Sequence, residues 1–214
     1  MMRKLTLGIG LALWAFAGAN AYACQGKTVL FEDNFETLEP TWGATDDAFY
    51  LEDGRLVIKP GLDEYYSALN TAGFYDNIDY CVRIYSVNAD PEGNSFAGVM
   101  FWATDYDNYY YALIAGDGAV GIFRRQRGKT LKQTDWTAFD AANKGKEAVN
   151  ELRVVTIGKE ASVYINGKLF KTMKGQPPEN GQEIGVRATS SKGEKAVYAF
   201  DDIKVTEPAT AKSN

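Results

Sequence analysis

Two aspartates stand where apolar side chains are expected. In AVYAFDDIKV (196–205), every second residue gives Val197, Ala199, Asp201, Ile203 and Val205, one strand face with a carboxylate at its centre. VLFEDNFE repeats the pattern with Val29, Phe31, Asp33 and Phe35. A carboxylate in a core is costly unless paired, so the two together ask for a cation. Ligation by oxygen alone suits a hard ion such as calcium. Two other arrangements answer the same pattern. Either aspartate could lie at a sheet edge and pair with Lys204 or Arg55, or a β-bulge could shift the register and expose it.

Other groups could do different chemistry. Asp105 and Asp107 in ATDYDNYYY would share a face if extended, but beside Asn108 and between two aromatic stretches they read as a polar turn. The chain contains no histidine, which excludes Ser-His-Asp and Cys-His catalysis and histidine-ligated zinc. Flat rings on which a sugar can stack are concentrated in MFWATDYDNYYYALI (Trp102, Tyr106, Tyr109, Tyr110, Tyr111) and in EYYSAL (Tyr65, Tyr66). In alternating strands about half of these rings must face the core. Val99 and Phe101 share one register and Met100 and Trp102 the other; the sequence leaves open which of them lines an exposed face. Arg124, Arg125 and Arg127 form the one dense basic run. It reads as a solvated hairpin, or as Arg125 and Arg127 on one face, two guanidinium forks for an anionic or hydroxyl-rich ligand. The candidate ligand-binding residues are therefore Tyr66, Trp102, Tyr109, Tyr111, Arg125 and Arg127.

These groups must be positioned by strands. Short segments rich in Val, Ile, Phe and Tyr alternate with Gly, Asn, Asp and Pro clusters, and no long stretch has a helical period, so the expected fold is all-β, a two-sheet antiparallel β-sandwich or jelly roll. Strands are predicted over 28–36, 48–52, 55–59, 65–69, 78–87, 96–103, 108–115, 119–126, 150–157, 161–166, 168–173, 183–189 and 196–206. Asp53-Gly54, Gly116-Asp117-Gly118 and Asn166-Gly167 mark tight turns, and FDAAN suggests a short helical turn.

Arg3 and Lys4, an apolar run from Leu5 to about Ala19 and the Ala21-Tyr22-Ala23 pattern predict a signal peptide over 1–23, cut before Cys24 and followed by no membrane span. Bulky Tyr22 and Ala21 in place of leucine argue for plain cleavage over lipidation of Cys24. The expected mature domain runs over 24–207, with a disordered tail over 208–214, and is secreted or periplasmic. Its two cysteines, Cys24 and Cys81, predict one disulfide in an oxidising compartment. Without the leader the chain has 21 basic and 28 acidic residues, a net charge of −7, which argues against nucleic acid as a partner.

Several stretches together, VLFEDNFETLEPTW, FYLEDGRLVIKP, AGVMFWATDYDNYYYALI, GIFRRQRGK, NELRVVTIGKEASVYINGKLF and IGVRATS with YAFDDIKV, resemble the concanavalin A-like lectin/glucanase superfamily. The nearest likeness within it is to the laminin-G-like domains of the 3-keto-disaccharide hydrolase or family 16 glycoside hydrolase-like type. The resemblance covers about Val29 to Val205. It implies a jelly roll with a concave face that often binds glycans, and a structural calcium held by a last-strand carboxylate and early-strand carbonyls. Asp201 and Gly54 occupy the matching positions, and Asp33 joins them on the register argument above. The E-x-D-x-x-E motif of laminarinase-type retaining glycosidases, which places acid and nucleophile on one strand face, is missing. The expectation is a non-catalytic carbohydrate-binding module with calcium. The alternative is a sugar-processing enzyme built on other carboxylates, and a third reading is a structural protein that binds a protein partner through a sheet face.

Overall fold

The computed structural model describes residues 24–209; the predicted leader over 1–23, and the predicted tail beyond 209, lie outside the described residues. Its strands are β1 (Val29–Asp33), β2 (Phe49–Glu52), β3 (Arg55–Ile58), β4 (Tyr65–Tyr75), β5 (Ile78–Asn88), β6 (Phe96–Asp105), β7 (Asn108–Ala115), β8 (Ala119–Gln126), β9 (Lys129–Lys132), β10 (Thr137–Ala138), β11 (Val149–Ile157), β12 (Glu160–Ile165), β13 (Lys168–Lys174), β14 (Gln182–Thr189) and β15 (Val197–Thr206). They form two antiparallel sheets packed face to face. One runs β13-β12-β11-β5-β15-β3-β2 with β1 beside β15, and the other β10-β8-β7-β6-β14-β4 with β9 beside β8. This is the sandwich expected from the alternation. Asp53-Gly54 and Asn166-Gly167 take the left-handed conformations that their turns require, with φ of 51° and 69°, and of 48° and 76°. FDAAN makes a single turn, closed by the Ala142 N–H donating to the Phe139 carbonyl at 2.9 Å, and no helix forms there.

Strand alternation fills the core from both sides. Ile78, Tyr80, Val82 and Ile84 of β5 meet Val99 and Phe101 of β6, Tyr110, Ala112 and Ile114 of β7, and Ile184, Val186 and Ala188 of β14. Each is at least mostly dehydrated, and burying a side chain of this size contributes about 1.5–3 kcal/mol.

Of the bulges in the sheets, two reset the alternation at residues singled out by the sequence. In β15 the core residues are Tyr198 and Phe200, then Ile203 and Val205, so the inward parity changes between 200 and 203. Three steps on β15, from Asp201 to Lys204, oppose two on β5, from Arg83 to Cys81. Asp202 supplies the kink with φ of 49°. The expected register with Asp201 on the core face is therefore corrected: Asp201 lies on the outward face opposite Arg83. In β6, three steps from Met100 to Ala103 oppose two on β14, and Trp102 takes φ of 48°. The bulge turns Trp102 into the core beside Phe101, while Gln182 Oε1 accepts the displaced Trp102 N–H at 2.8 Å.

The outward face of the larger sheet anchors the segment before β1. Cys24 and Cys81 form the expected disulfide across 57 residues. Beside it Arg153 grips Asp79 with both arms, Nε to Oδ1 at 2.6 Å and Nη2 to Oδ2 at 2.8 Å, and Gln25 N–H donates to the same carboxylate at 2.8 Å. On the loop-entropy estimate the crosslink contributes about 4 kcal/mol. Equilibrium denaturation with and without reductant should show a loss of that order; equal midpoints would mean that the clamp alone holds the segment.

Candidate ligand-binding site

The outward face of the seven-stranded sheet is unusually dry. The parity opposite the core places Leu69 of β4, Met100 and Ala103 of β6, and Tyr109, Tyr111 and Leu113 of β7 on this side, where they form a second buried cluster flanked by Phe96 and Phe123. A row of rings crosses it: Tyr109 to Tyr111 at 5.3 Å, Tyr111 stacked on Phe123 at 5.3 Å, Phe123 to Trp136 at 5.2 Å and Trp136 to Phe96 at 4.8 Å. Gly121 makes this possible, because a Cβ there would sit 2.7 Å from the Phe123 ring and 3.0 Å from Trp136. Met100 thus belongs to the exposed-face register, and Val99 and Phe101 to the core.

Arg187 of β14 lies in the middle of these rings. Its Nη1 donates to Tyr109 Oη at 2.7 Å and to Ser67 Oγ at 3.0 Å. Its guanidinium carbon sits 3.7 Å from the Tyr65 ring centre and 5.1 Å from that of Tyr111, in the range of cation–π attraction. Burial pushes the Tyr109 hydroxyl pKa up, while the charges of Arg187 and Arg125 oppose that shift. A cleft of about 210 Å³ opens beside Arg187 against Tyr111, Phe123, Thr130 and Trp136. Nearby, a second cleft of about 250 Å³ runs between Tyr109, Arg125, Trp102 and the Gln176–Pro178 loop.

Of the six predicted binding residues, the structure brings Tyr109, Tyr111 and Arg125 to this face. Arg125 donates from Nε to the Tyr106 carbonyl at 3.1 Å and lies 5.9 Å from the Tyr65 ring centre. Trp102 points inward and reaches only the margin of the second cleft. Tyr66 packs between the sheets, stacked on Phe49 at 5.5 Å, and burial together with the Asp46 carboxylate, to which it donates at 3.0 Å, pushes its pKa up to about 12. Arg127 forms the tip of the β8–β9 hairpin, with φ of 51°, and does not share the face of Arg125. Sequence reasoning missed Arg187 and Trp136. The signal for Arg187 was its place in IGVRAT, alternating with Val186 and Ala188.

The carboxylates have other duties. Asp105 accepts from the Asp107 N–H at 2.7 Å and from Asn108 Nδ2 at 3.0 Å. Burial raises its pKa, but these bonds and Thr104 outweigh burial and hold it below its ordinary value. Glu183, buried at the same end of the face, is pushed up by burial and by Asp105. The two form the one split pair near the aromatic row.

The residues assigned to calcium do not fit such an ion. Both oxygens of Asp33 already accept, Oδ1 from Phe35 N–H at 2.8 Å and Oδ2 from Trp42 Nε1 at 2.9 Å. The donor is brought into place by the single 3-10 turn Pro40–Trp42. Asp33 faces the core, Asp201 faces outward, and Gly54 lies in the β2–β3 turn with nothing near its Cα substituent position, so no cation spans all three. Lys204 pairs with Glu32 at 3.1 Å and Arg83 with Asp202 at 2.5 Å. Among the described residues, the one cluster of three metal-capable side chains is Cys24, Asp79 and Cys81. Its sulfurs are joined to each other and its carboxylate is held by Arg153. A polar cleft of about 490 Å³ beside Glu32, Asp33 and Asp202 has no aromatic wall.

Glu151 stands half-buried on the outward face of the larger sheet, and its Oε1 has no partner. Burial pushes its pKa up to about 7 against the opposing charges of Arg83 and Arg153.

No protein-family model matches the chain, and no curated protein matches it. Solved structures do share its fold. A carbohydrate binding module, CBM66, from Bacillus subtilis is 15% identical, with a TM-score of 0.58 over 74% of this chain and 91% of that one. The potassium-bound Emp46p carbohydrate recognition domain is 14% identical, with a TM-score of 0.63 over 83% and 95%. A Bacillus licheniformis β-glucanase is 14% identical, with a TM-score of 0.54 over 86% and 100%. The chain therefore shares its two-sheet antiparallel β-sandwich, a jelly roll, with these structures.

Two outcomes follow from the carboxylates. Chelation by EDTA should shift the melting temperature by less than about 1 °C, because a bound ion would have to stabilise by linkage; Trp42→Phe, by orphaning Asp33 Oδ2, should cost about 1–3 kcal/mol. A large chelation effect would restore a metal. Glu151 holds its proton in the folded state up to about 7 but loses it near 4.5 when unfolded. Its stabilising contribution is thus full below 4.5 and disappears as pH rises to 7. Allowing for solvent screening, the wild type should lose on the order of 1 kcal/mol relative to Glu151→Gln across that window. Denaturation at both ends would show parallel curves if Glu151 titrates normally.

Proposed function

We propose that this chain is an exported, non-catalytic carbohydrate-recognition module that binds glycans on the outward face of its seven-stranded sheet. The observation that carries the reading is the open end of the aromatic row, exposed Trp136 and half-buried Phe123 beside a cleft, with Tyr111 and Tyr109 packed behind them. Rings present flat apolar surface to the C–H face of a sugar, and neighbouring polar groups can serve hydroxyls. Support comes also from the carbohydrate-binding module and the carbohydrate recognition domain that share the fold. The Cys24–Cys81 disulfide suits an oxidising compartment. Laminin-G-like kinship within the superfamily rests on the order of the sequence motifs. Calcium has no part in the reading.

The second reading, a sugar-processing enzyme, has one observation in its favour: Glu183 and Asp105 are pushed in opposite directions beside the aromatic row, the pattern expected of an acid and a base. Against it, both Asp105 oxygens are taken up in capping their own turn.

Glycan-array binding by the purified protein should be saturable and should fall about tenfold or more on Tyr111→Ala or Trp136→Ala, the loss typical of a central aromatic anchor. Binding that ignores both substitutions would move the site elsewhere. Turnover of a bound glycan, lost in Glu183→Gln, would replace the module with an enzyme.

A further inference from the structure

We propose that Arg187 is an anion-reading centre and that the glycan this face accepts carries a carboxylate, that is, a uronic acid. The proposal rests on the reading of the face as a glycan-binding surface and adds the class of sugar.

Arg187 is only 7% exposed, yet no carboxylate pairs with it among the described residues. The protein's other deeply buried arginine, Arg153, is matched by Asp79 with two short bonds. A buried charge without a counter-charge is unfavourable and is retained where something else supplies the partner. The partners Arg187 does have are neutral hydroxyls, both on Nη1: Tyr109 and Ser67. Its Nε is sealed from solvent with no acceptor, and Nη2 has none among the described residues. Nη2, which is not sealed, is the nitrogen that a ligand oxygen entering the cleft can reach, with the charge of the guanidinium behind it.

The surroundings fit an acidic sugar better than a free ion. Tyr65 covers one face of the guanidinium and Tyr111 approaches it from farther off, which fixes its plane and leaves its edge for the ligand. Arg187 is the one charged residue among those lining the adjoining cleft, so no carboxylate of the protein competes for it. Phe123 and Trp136 supply the apolar wall against which a pyranose ring could lie, and Thr130 a hydroxyl. Inorganic anions would use the arginine and leave the rings idle; neutral sugars would use the rings and leave the Arg187 charge without a counter-charge.

The test is titration calorimetry of the full protein with short oligomers of galacturonate, glucuronate and mannuronate, each beside the same oligomer after reduction of its carboxyl groups, and with a sulfated galactan. The expected result is that at least one uronate oligomer binds at least tenfold more tightly than its reduced counterpart. That preference should vanish in Arg187→Lys, which keeps the charge but loses the planar guanidinium that Tyr65 and Tyr109 hold in place. The wild-type comparison stands by itself if the variant fails to fold. Equal affinity for acidic and reduced oligomers would overturn the carboxylate assignment while leaving glycan binding intact. Binding of the sulfated chain alone would overturn it in favour of sulfate. Binding of neither, together with a silent glycan array, would overturn both readings.

Discussion

A pleated strand has two faces and a period of two, and a sandwich asks each strand to keep one of those faces dry along its whole length. Most of this structure follows from meeting that demand, and much of its character comes from two of the places where strict alternation fails. At Asp201-Asp202 an unbroken strand would drive a carboxylate between the sheets. One extra residue in a left-handed conformation turns it out toward Arg83 and returns Ile203 and Val205 to the core. At Trp102 the same device works in reverse, folding a large ring inward that alternation would have left beside Met100. The first bulge protects the core, and the second sets the boundary of the aromatic face.

The two outward faces have consequently diverged. On the larger sheet, Arg83, Glu151, Arg153, Asp79 and Asp202 form a charged surface whose interactions are internal, and the segment around Cys24 and Gln25 is fastened across it. On the smaller sheet a dry aromatic surface surrounds one arginine that the protein itself does not neutralise. The anchored segment and the aromatic surface thus lie on opposite sides of one core, and a change on one side reaches the other through packed side chains.

Much of this was legible from residue order. Alternation, turn dipeptides and the missing helical period pointed to the sandwich, and paired cysteines to the disulfide, because those signals are local or purely arithmetic. Tyr109, Tyr111 and Arg125 share one outward face, as expected, because they sit in unbroken alternation on β7 and β8. Trp102 and Asp201 were misplaced because strict alternation breaks at the bulges beside them, of which residue order raised only the one near Asp201 and only as an alternative. Tyr66, in contrast, turns inward by ordinary alternation with the outward Tyr65. Strands β9 and β10 escaped notice because they are short and exposed, with no apolar face to reveal them. Asp33 looked unpaired because neither of its partners is a cation: one is the Phe35 amide two residues on, and the other is the Trp42 indole, which becomes a neighbour only once the 3-10 turn has folded back.

The crosslink between Cys24 and Cys81 has a consequence for the protein's resistance to proteolysis. It encloses β1 to β4 and the exposed Phe74, a bulky apolar side chain that digestive-type proteases favour. A single cut there would leave both pieces covalently joined, and β4 would still be hydrogen-bonded to β14. A nicked molecule would thus keep its mass and its aromatic face, and would come apart only when nicking and reduction coincide.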